Sequence, residues 1–227
     1  MNYLNQFVFG IYPYIALSIF LLGSLIRFDR EQYTWKSESS QLLHRGSLRA
    51  GNILFHVGIL GLFFGHAVGL LTPVAVWDAL GVSHGAKQIV AMVAGGVMGS
   101  MCLAGILILL VRRFSNERLL SVTTFKDKIV MLWILATLLL GLTSIYVSAS
   151  HTDGHVMVQL MGWAQRVVTF RGDAAQFVAD APTIFKLHLF MGMSLFVIFP
   201  FTRLVHVWSG FGSVVYLGRS FQLVRRR

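Results

Sequence analysis

The chain has 227 residues, 56% hydrophobic and only 12% charged, and a mean hydropathy of +0.70. A soluble domain carries about 25% charged residues, so these values exclude one and indicate an integral membrane protein. The formal net charge of +10 would raise nucleic-acid binding in a soluble chain. Here the bases flank apolar segments, where membrane topology accounts for them, and no nucleic-acid partner is expected.

Five segments reach the ~20 apolar residues needed to cross a bilayer. They run approximately over 3–26, 52–71, 88–111, 129–149 and 183–208, the last containing Pro200, which can kink it. Between the fourth and fifth, Met157, Leu160, Met161, Trp163, Ala164, Val167 and Val168 recur at helical spacing. They predict a short interfacial helix over about 155–168 on the outer face, with Trp163 at headgroup depth. No separate soluble domain, internal repeat or cleavable signal peptide is evident, so residues 1–227 read as one all-α membrane domain.

Fifteen bases sit on one set of alternating connections, among them Arg27, Arg30, Lys36, Arg45, Arg49, Arg112, Arg113 and the C-terminal Arg225, Arg226 and Arg227. Only Lys87, Arg166, Arg171 and Lys186 occupy the other set. This asymmetry predicts an external N-terminus and a cytoplasmic C-terminus.

Four of the eight histidines fall inside apolar segments: His56 and His66 on the second, His188 and His206 on the fifth. An ionisable group in hydrocarbon is costly and marks a functional site by default. Topology pairs them by level, His66 with His188 outside and His56 with His206 inside. With no thiolate or carboxylate nearby, two iron porphyrins with paired axial histidines fit better than zinc. Cys102 is the one cysteine, which excludes an intramolecular disulfide, a cysteine-rich iron–sulfur site and a CxxCH haem attachment.

Treated as one helix, the fifth segment places His188 and His206 five whole turns apart on one face, with a rise of about 27 Å. The second segment fits less well, its ten-residue spacing leaving the side chains about 80° apart with a rise of about 15 Å. The alternative role for such histidines is hydrogen-bonded glue between helices, at about 0.6 kcal/mol each. His44, His84, His151 and His155 lie in polar connections and read as solvated.

Gly58, Gly61, Gly65 and Gly69 are spaced three, four and four. Gly61 reads as a helix-packing position, while Gly65 and Gly69 bracket His66 and would let a flat ligand approach the backbone. Gly95, Gly96 and Gly99 read as packing. Arg203, one turn from His206, and Arg112 are candidate partners for haem propionates, although stop-transfer or snorkelling roles compete. Lys87, near the level of His66, is either a helix anchor or a hydrogen-bond donor to a quinone oxygen.

The chain closely resembles the gamma subunit of membrane-bound respiratory nitrate reductase. The resemblance covers essentially its whole length and rests on FGIYPYIA, RFDREQYTW followed by SSQLL, NILFHVGILGLFFGHAVGLLTP, KQIVAMVAGG, LMGWAQRVVTF, KLHLFMGMSLFVIFPFTRLVHVWS and the closing QLVRRR. It implies a bundle of five transmembrane helices enclosing two haem b groups, His66 and His188 at the outer one and His56 and His206 at the inner one. It also implies a quinol site near the outer haem at Gly65, Gly69 and Lys87. The implied partners are an iron–sulfur beta subunit and a molybdenum-containing alpha subunit on the cytoplasmic side, in a bacterial inner membrane.

The implied reaction is oxidation of a membrane quinol near the outer face, with protons released there and electrons delivered across the membrane to the beta subunit. One alternative is the di-haem anchor of a formate dehydrogenase or hydrogenase. A different class is a transporter using its histidines as a relay. Against the latter, the five predicted spans contain no acidic residue and show no inverted repeat.

Overall fold

The computed structural model describes residues 2–31, 47–150 and 152–208. Lys36, His44, Arg45, His151, Arg219, Arg225, Arg226, Arg227 and the SSQLL and QLVRRR motifs lie outside them. Every regular element among the described residues is helical, and five helices are long and apolar enough to cross a membrane.

The first span, Tyr3–Arg30, joins α1 (Tyr3–Gln6) to α2 (Tyr12–Arg30) through a π-helical turn at Phe7–Ile11. The turn follows from Pro13, which has no N–H for the carbonyl of Phe9. That orphaned oxygen accepts the indole N–H of Trp163 at 2.9 Å. Membrane helices tolerate proline where a neighbour satisfies the freed carbonyl in this way. Trp163 is 3% exposed and packed against Phe9 in a core cluster.

The second span is α3 (Leu48–Leu71), followed by the short α4 (Val74–Ala79) and the third span, α5 (His84–Phe114). α3 and α5 cross with their backbones in close approach. A Cβ built on Gly58 would lie 2.5 Å from the backbone N of Cys102, and one on Gly61 would lie 2.6 Å from Met98 Sδ. A Cβ on Gly105 would collide with the Phe55 backbone. Small residues on both helices let the backbones touch, which is the packing role expected of Gly61. Gly65 and Gly69 differ, since nothing lies within 4 Å of a Cβ at either.

After α6 (Glu117–Ser121), the fourth span is α7 (Phe125–Ala149). It opens with a capping box: the Thr124 hydroxyl accepts Asp127 N–H at 3.3 Å, and the Asp127 carboxylate accepts Thr124 N–H at 3.0 Å. Asp127 therefore lies within the span, 5% exposed, whereas the sequence boundary at 129 left it in a loop. Charged residues end the hydrocarbon signal but are good helix formers, so α2, α5 and α7 each run past their apolar limits.

The predicted interfacial helix is α8 (His155–Val168), followed by α9 (Ala174–Phe177). The Gln165 amide donates to the carbonyls of Leu70 and Thr72, both at 3.1 Å, tying α8 to the end of α3. His84 and His155 begin α5 and α8, the former with its ring 3.3 Å from the Asp78 carboxylate.

The fifth segment departs most from expectation. Its helix, α10 (Thr183–Ile198), stops before Pro200 instead of running to 208. Two 3-10 turns follow, Phe199–Phe201 and Arg203–Val205, separated by Thr202 in extended conformation (φ −129°, ψ 180°). The freed carbonyls have a dedicated donor, because Arg27 Nη1 on α2 bonds Pro200 O at 2.8 Å and Thr202 O at 2.7 Å. His188 and His206 are therefore not on one continuous helix. The five-turn register and its 27 Å rise do not hold, because Pro200 removes a donor and breaks the ladder.

Candidate functional site

The four membrane histidines form two pairs. His56 and His206 have ring centroids 6.3 Å apart, and His66 and His188 6.0 Å apart. Each pair joins α3 to the last segment, in the combination that topology predicted.

All four imidazoles are held by the same atom. Nδ1 of His56 bonds Asn52 O at 2.8 Å, and Nδ1 of His66 bonds Leu62 O at 2.7 Å. For His188 the acceptor is Thr137 O at 3.0 Å, and for His206 it is Arg203 O at 2.5 Å. A backbone carbonyl is only an acceptor, so Nδ1 carries the proton and Nε2 keeps its lone pair. Histidines that ligate a metal are oriented in this manner, with the second nitrogen donating to a carbonyl or carboxylate.

The pair separation can be tested against a shared ion. Two imidazoles bound through nitrogen at about 2.0 Å on opposite sides of one ion would have centroids about 6.3 Å apart. Both pairs match. Among the described residues no group of three or more His, Cys, Asp and Glu is placed to hold a metal. Each pair thus offers two imidazole nitrogens and, among the described residues, no third protein ligand, a donor set that would suit a macrocycle carrying its own equatorial ligands. Gly65, Gly69 and Gly192, on the two helices that carry His66 and His188, have nothing within 4 Å of a Cβ, leaving room for a flat group against the backbone.

Lys87 is not a solvated anchor. It is 6% exposed, and its Nζ donates to Gly69 O at 2.8 Å and contacts Met161 Sδ at 2.6 Å. The ammonium also lies 4.7 Å from the centroid of the Trp77 ring. Three elements thus converge on one cation, which the structure brings to Gly69 one turn beyond Gly65. The indole N–H of Trp77 is buried without a partner.

At the opposite end Arg203 is committed to a protein carboxylate. Its Nε and Nη2 each lie 2.6 Å from Asp127, one on each oxygen, in a bidentate pair. Arg113 approaches the same carboxylate at 3.8 Å, and Arg112 is buried at 6% exposure. A propionate at Arg203 would have to share it with Asp127.

Four contributors escaped the sequence reading: Arg27, Asp127, Thr137 and Gly141. A Cβ on Gly141 would lie 2.9 Å from Cε1 of His188, so α7 receives that imidazole only because position 141 is glycine. Arg27 and Asp127 were visible as charges at span ends. Thr137 acts through its carbonyl, which every residue type has, and left no signal.

Five helices long and apolar enough to cross a membrane, two of whose segments bring four histidines together as two imidazole pairs, define a membrane protein with two paired-histidine sites. The chain belongs to the nitrate reductase gamma subunit family, whose model matches residues 5–227. It is 48% identical over 227 residues to the respiratory nitrate reductase 1 gamma chain of Escherichia coli (strain K12), covering 100% of both chains. It is 46% identical to the respiratory nitrate reductase 2 gamma chain of the same organism, covering 100% of this chain and 99% of the relative. The nitrate reductase gamma chain of Bacillus subtilis (strain 168) is 34% identical over 223 residues, covering 98% of this chain and 99% of the relative.

Proposed function

We propose that this chain is the quinol-oxidising membrane subunit of a respiratory nitrate reductase, a single inner-membrane domain binding two haem b groups. His66 and His188 would hold one and His56 and His206 the other, each through Nε2. The observation that carries this reading is the set of four imidazoles tied at Nδ1 and paired at 6.0 and 6.3 Å. When bound, the haems supply one-electron redox chemistry at potentials set by ligation and burial.

The chain's own residues supply the rest. Gly65 and Gly69 leave space for a flat headgroup beside His66, and Lys87 directs a proton-bearing Nζ into that region to hold a quinol oxygen. Oxidation of quinol to quinone there releases two protons and two electrons. The base distribution supports the Lys87 end facing outside and the Asp127 end facing the cytoplasm. The protons would then be released outside and the electrons delivered to an iron–sulfur beta subunit and onward to a molybdenum-containing alpha subunit. A charge moved across the membrane is worth about 2.3 kcal/mol per 100 mV, so the step conserves energy.

A pyridine haemochrome assay on the purified protein tests this reading. Two b-type haems per chain are expected, and a value near one or zero overturns it.

A further inference from the structure

Helix α7 carries no histidine, yet it touches the apparatus that holds both imidazoles of the last segment. We propose that α7 is the positioning helix of the two sites, with Gly141 and Thr137 setting His188 and Asp127 setting His206. The inference rests on the reading that these imidazoles are haem ligands.

His188 stands apart from the other three in taking its acceptor from a different helix. Its Nδ1–H donates to Thr137 O at 3.0 Å, an oxygen that lies in the ladder of α7. The ring reaches that carbonyl by lying over Gly141, where a Cβ would sit 2.9 Å from Cε1 and 3.4 Å from Nε2, the coordinating atom. One turn earlier on α7, the indole N–H of Trp133 donates to Met191 O of α10 at 3.0 Å. These two hydrogen bonds run in opposite directions between the helices and fix their register at the imidazole and one turn away from it.

His206 lies beyond the helix break, where no regular ladder fixes its height. Its Nδ1–H donates to Arg203 O at 2.5 Å. The Arg203 side chain is clamped by both oxygens of Asp127, each at 2.6 Å. Asp127 is itself fixed by the Thr124 N–H in the first turn of α7. The turn that supplies the acceptor of His206 is thus pinned to the start of α7, where a bidentate charged pair adds directional as well as energetic restraint.

The spacing shows what this achieves. Asp127 and Thr137 are ten residues apart on α7, as His56 and His66 are on α3. On straight helices both intervals rise about 15 Å. α3 and α7 therefore span the same axial interval between their two contributions, and the eighteen residues from His188 to His206 are accommodated through the break at Pro200. Contacts to the second nitrogen of a ligating histidine fix ring orientation and ligand basicity, so each α7 contact acts on one site.

Redox titration of the assembled complex, followed by optical and electron paramagnetic resonance spectra, tests the proposal. Asp127→Asn is expected to shift the midpoint potential and low-spin signal of the His56/His206 component alone, and Asp127→Glu to bring them back toward wild type. Gly141→Ala is expected to shift only the His66/His188 component, or remove it while the other stays intact. Gly99→Ala is the control, because its Cβ would press on Leu142 of α7 at 2.7 Å without reaching a histidine. Should Asp127→Asn fail to accumulate, Arg203→Lys decides, since an ammonium cannot make the two-oxygen contact with Asp127 and is expected to shift that component alone. The proposal is overturned if both components move together, if neither moves, or if Gly99→Ala reproduces the effect of Gly141→Ala. A wild-type complex lacking two haem components would instead overturn the haem reading itself.

Discussion

The end of the bundle bearing Lys87 and the end bearing Asp127 hold the same kind of imidazole pair by different means. At the Lys87 end both histidines sit on unbroken helices, α3 and α10, and the surrounding polar contacts are made by neutral carbonyls, a thioether and an aromatic face. At the Asp127 end the second histidine follows a broken helix, and its surroundings are held by a buried carboxylate and several guanidinium groups. The first end keeps open space beside Gly65 and Gly69, and the second carries a carboxylate clamped by Arg203. On the proposed reading, the open end would receive the mobile quinol and the carboxylate-clamped end would face the partner subunits.

The largest expected effect is loss of a whole site. Replacing His66 or His188 with alanine should delete one and the same spectral component, and replacing His56 or His206 the other. Deletion of a common component by His56→Ala and His66→Ala would destroy the comparison, since the two ends would not be separate sites.

Next comes the broken helix. Arg27 alone provides two hydrogen bonds to the carbonyls of Pro200 and Thr202, and hydrogen bonds from charged donors contribute about 2 kcal/mol each. Arg27→Ala should lower the thermal stability of the complex and release the His56/His206 component before the other on heating. Simultaneous release of both would show that the break is not a local weakness of the Asp127 end.

A smaller, purely kinetic effect is expected at the other end. Lys87→Ala should slow quinol-driven reduction of both components while leaving their dithionite-reduced spectra intact. Normal quinol-driven rates in well-assembled protein would remove Lys87 from the quinol site and leave it the role of bridging α3, α5 and α8.

How much of this was legible beforehand follows the same division. The Lys87 end could be read closely, because its histidines, glycines and lysine lie on regular helices whose rise and levels follow from counting residues. A helix over 155–168 was legible for the same reason. The Asp127 end could not be read so well. Pro200 signalled a disturbance, but its outcome depends on Arg27, 173 residues away in sequence from Pro200. Asp127 was assigned to a loop because the hydrocarbon signal ends before the helix does. The hydrogen bond from Trp163 to the Phe9 carbonyl was also out of reach, because it follows from a fold in which the first span meets α8. Contacts between distant parts of the chain leave no periodicity to detect.

The smallest predicted effect contrasts two carboxylate–arginine pairs. At the Asp127 end the pair is buried, and removing one partner of such a pair costs about 3–5 kcal/mol by stranding the other charge. At the Lys87 end Arg166 Nε donates to Asp173 at 2.9 Å, but the Asp173 side chain is 44% exposed. The Arg166 hydrogen bond holds the Asp173 carboxyl below its ordinary range. A carboxyl depressed in the folded state contributes stability at pH values above its unfolded value and loses that contribution as pH falls through the folded one. Exposure and salt screening keep that contribution small, and Arg166 also stacks on the Phe177 ring at 3.6 Å, which holds it in place without the carboxylate. Asp173→Asn should therefore lower the melting temperature only slightly at neutral pH and low salt. The difference from wild type should vanish both on acidification through the carboxylate range and on raising ionic strength. A difference that persisted under both conditions would mean that Asp173 acts through packing at this end of the bundle, not through its charge.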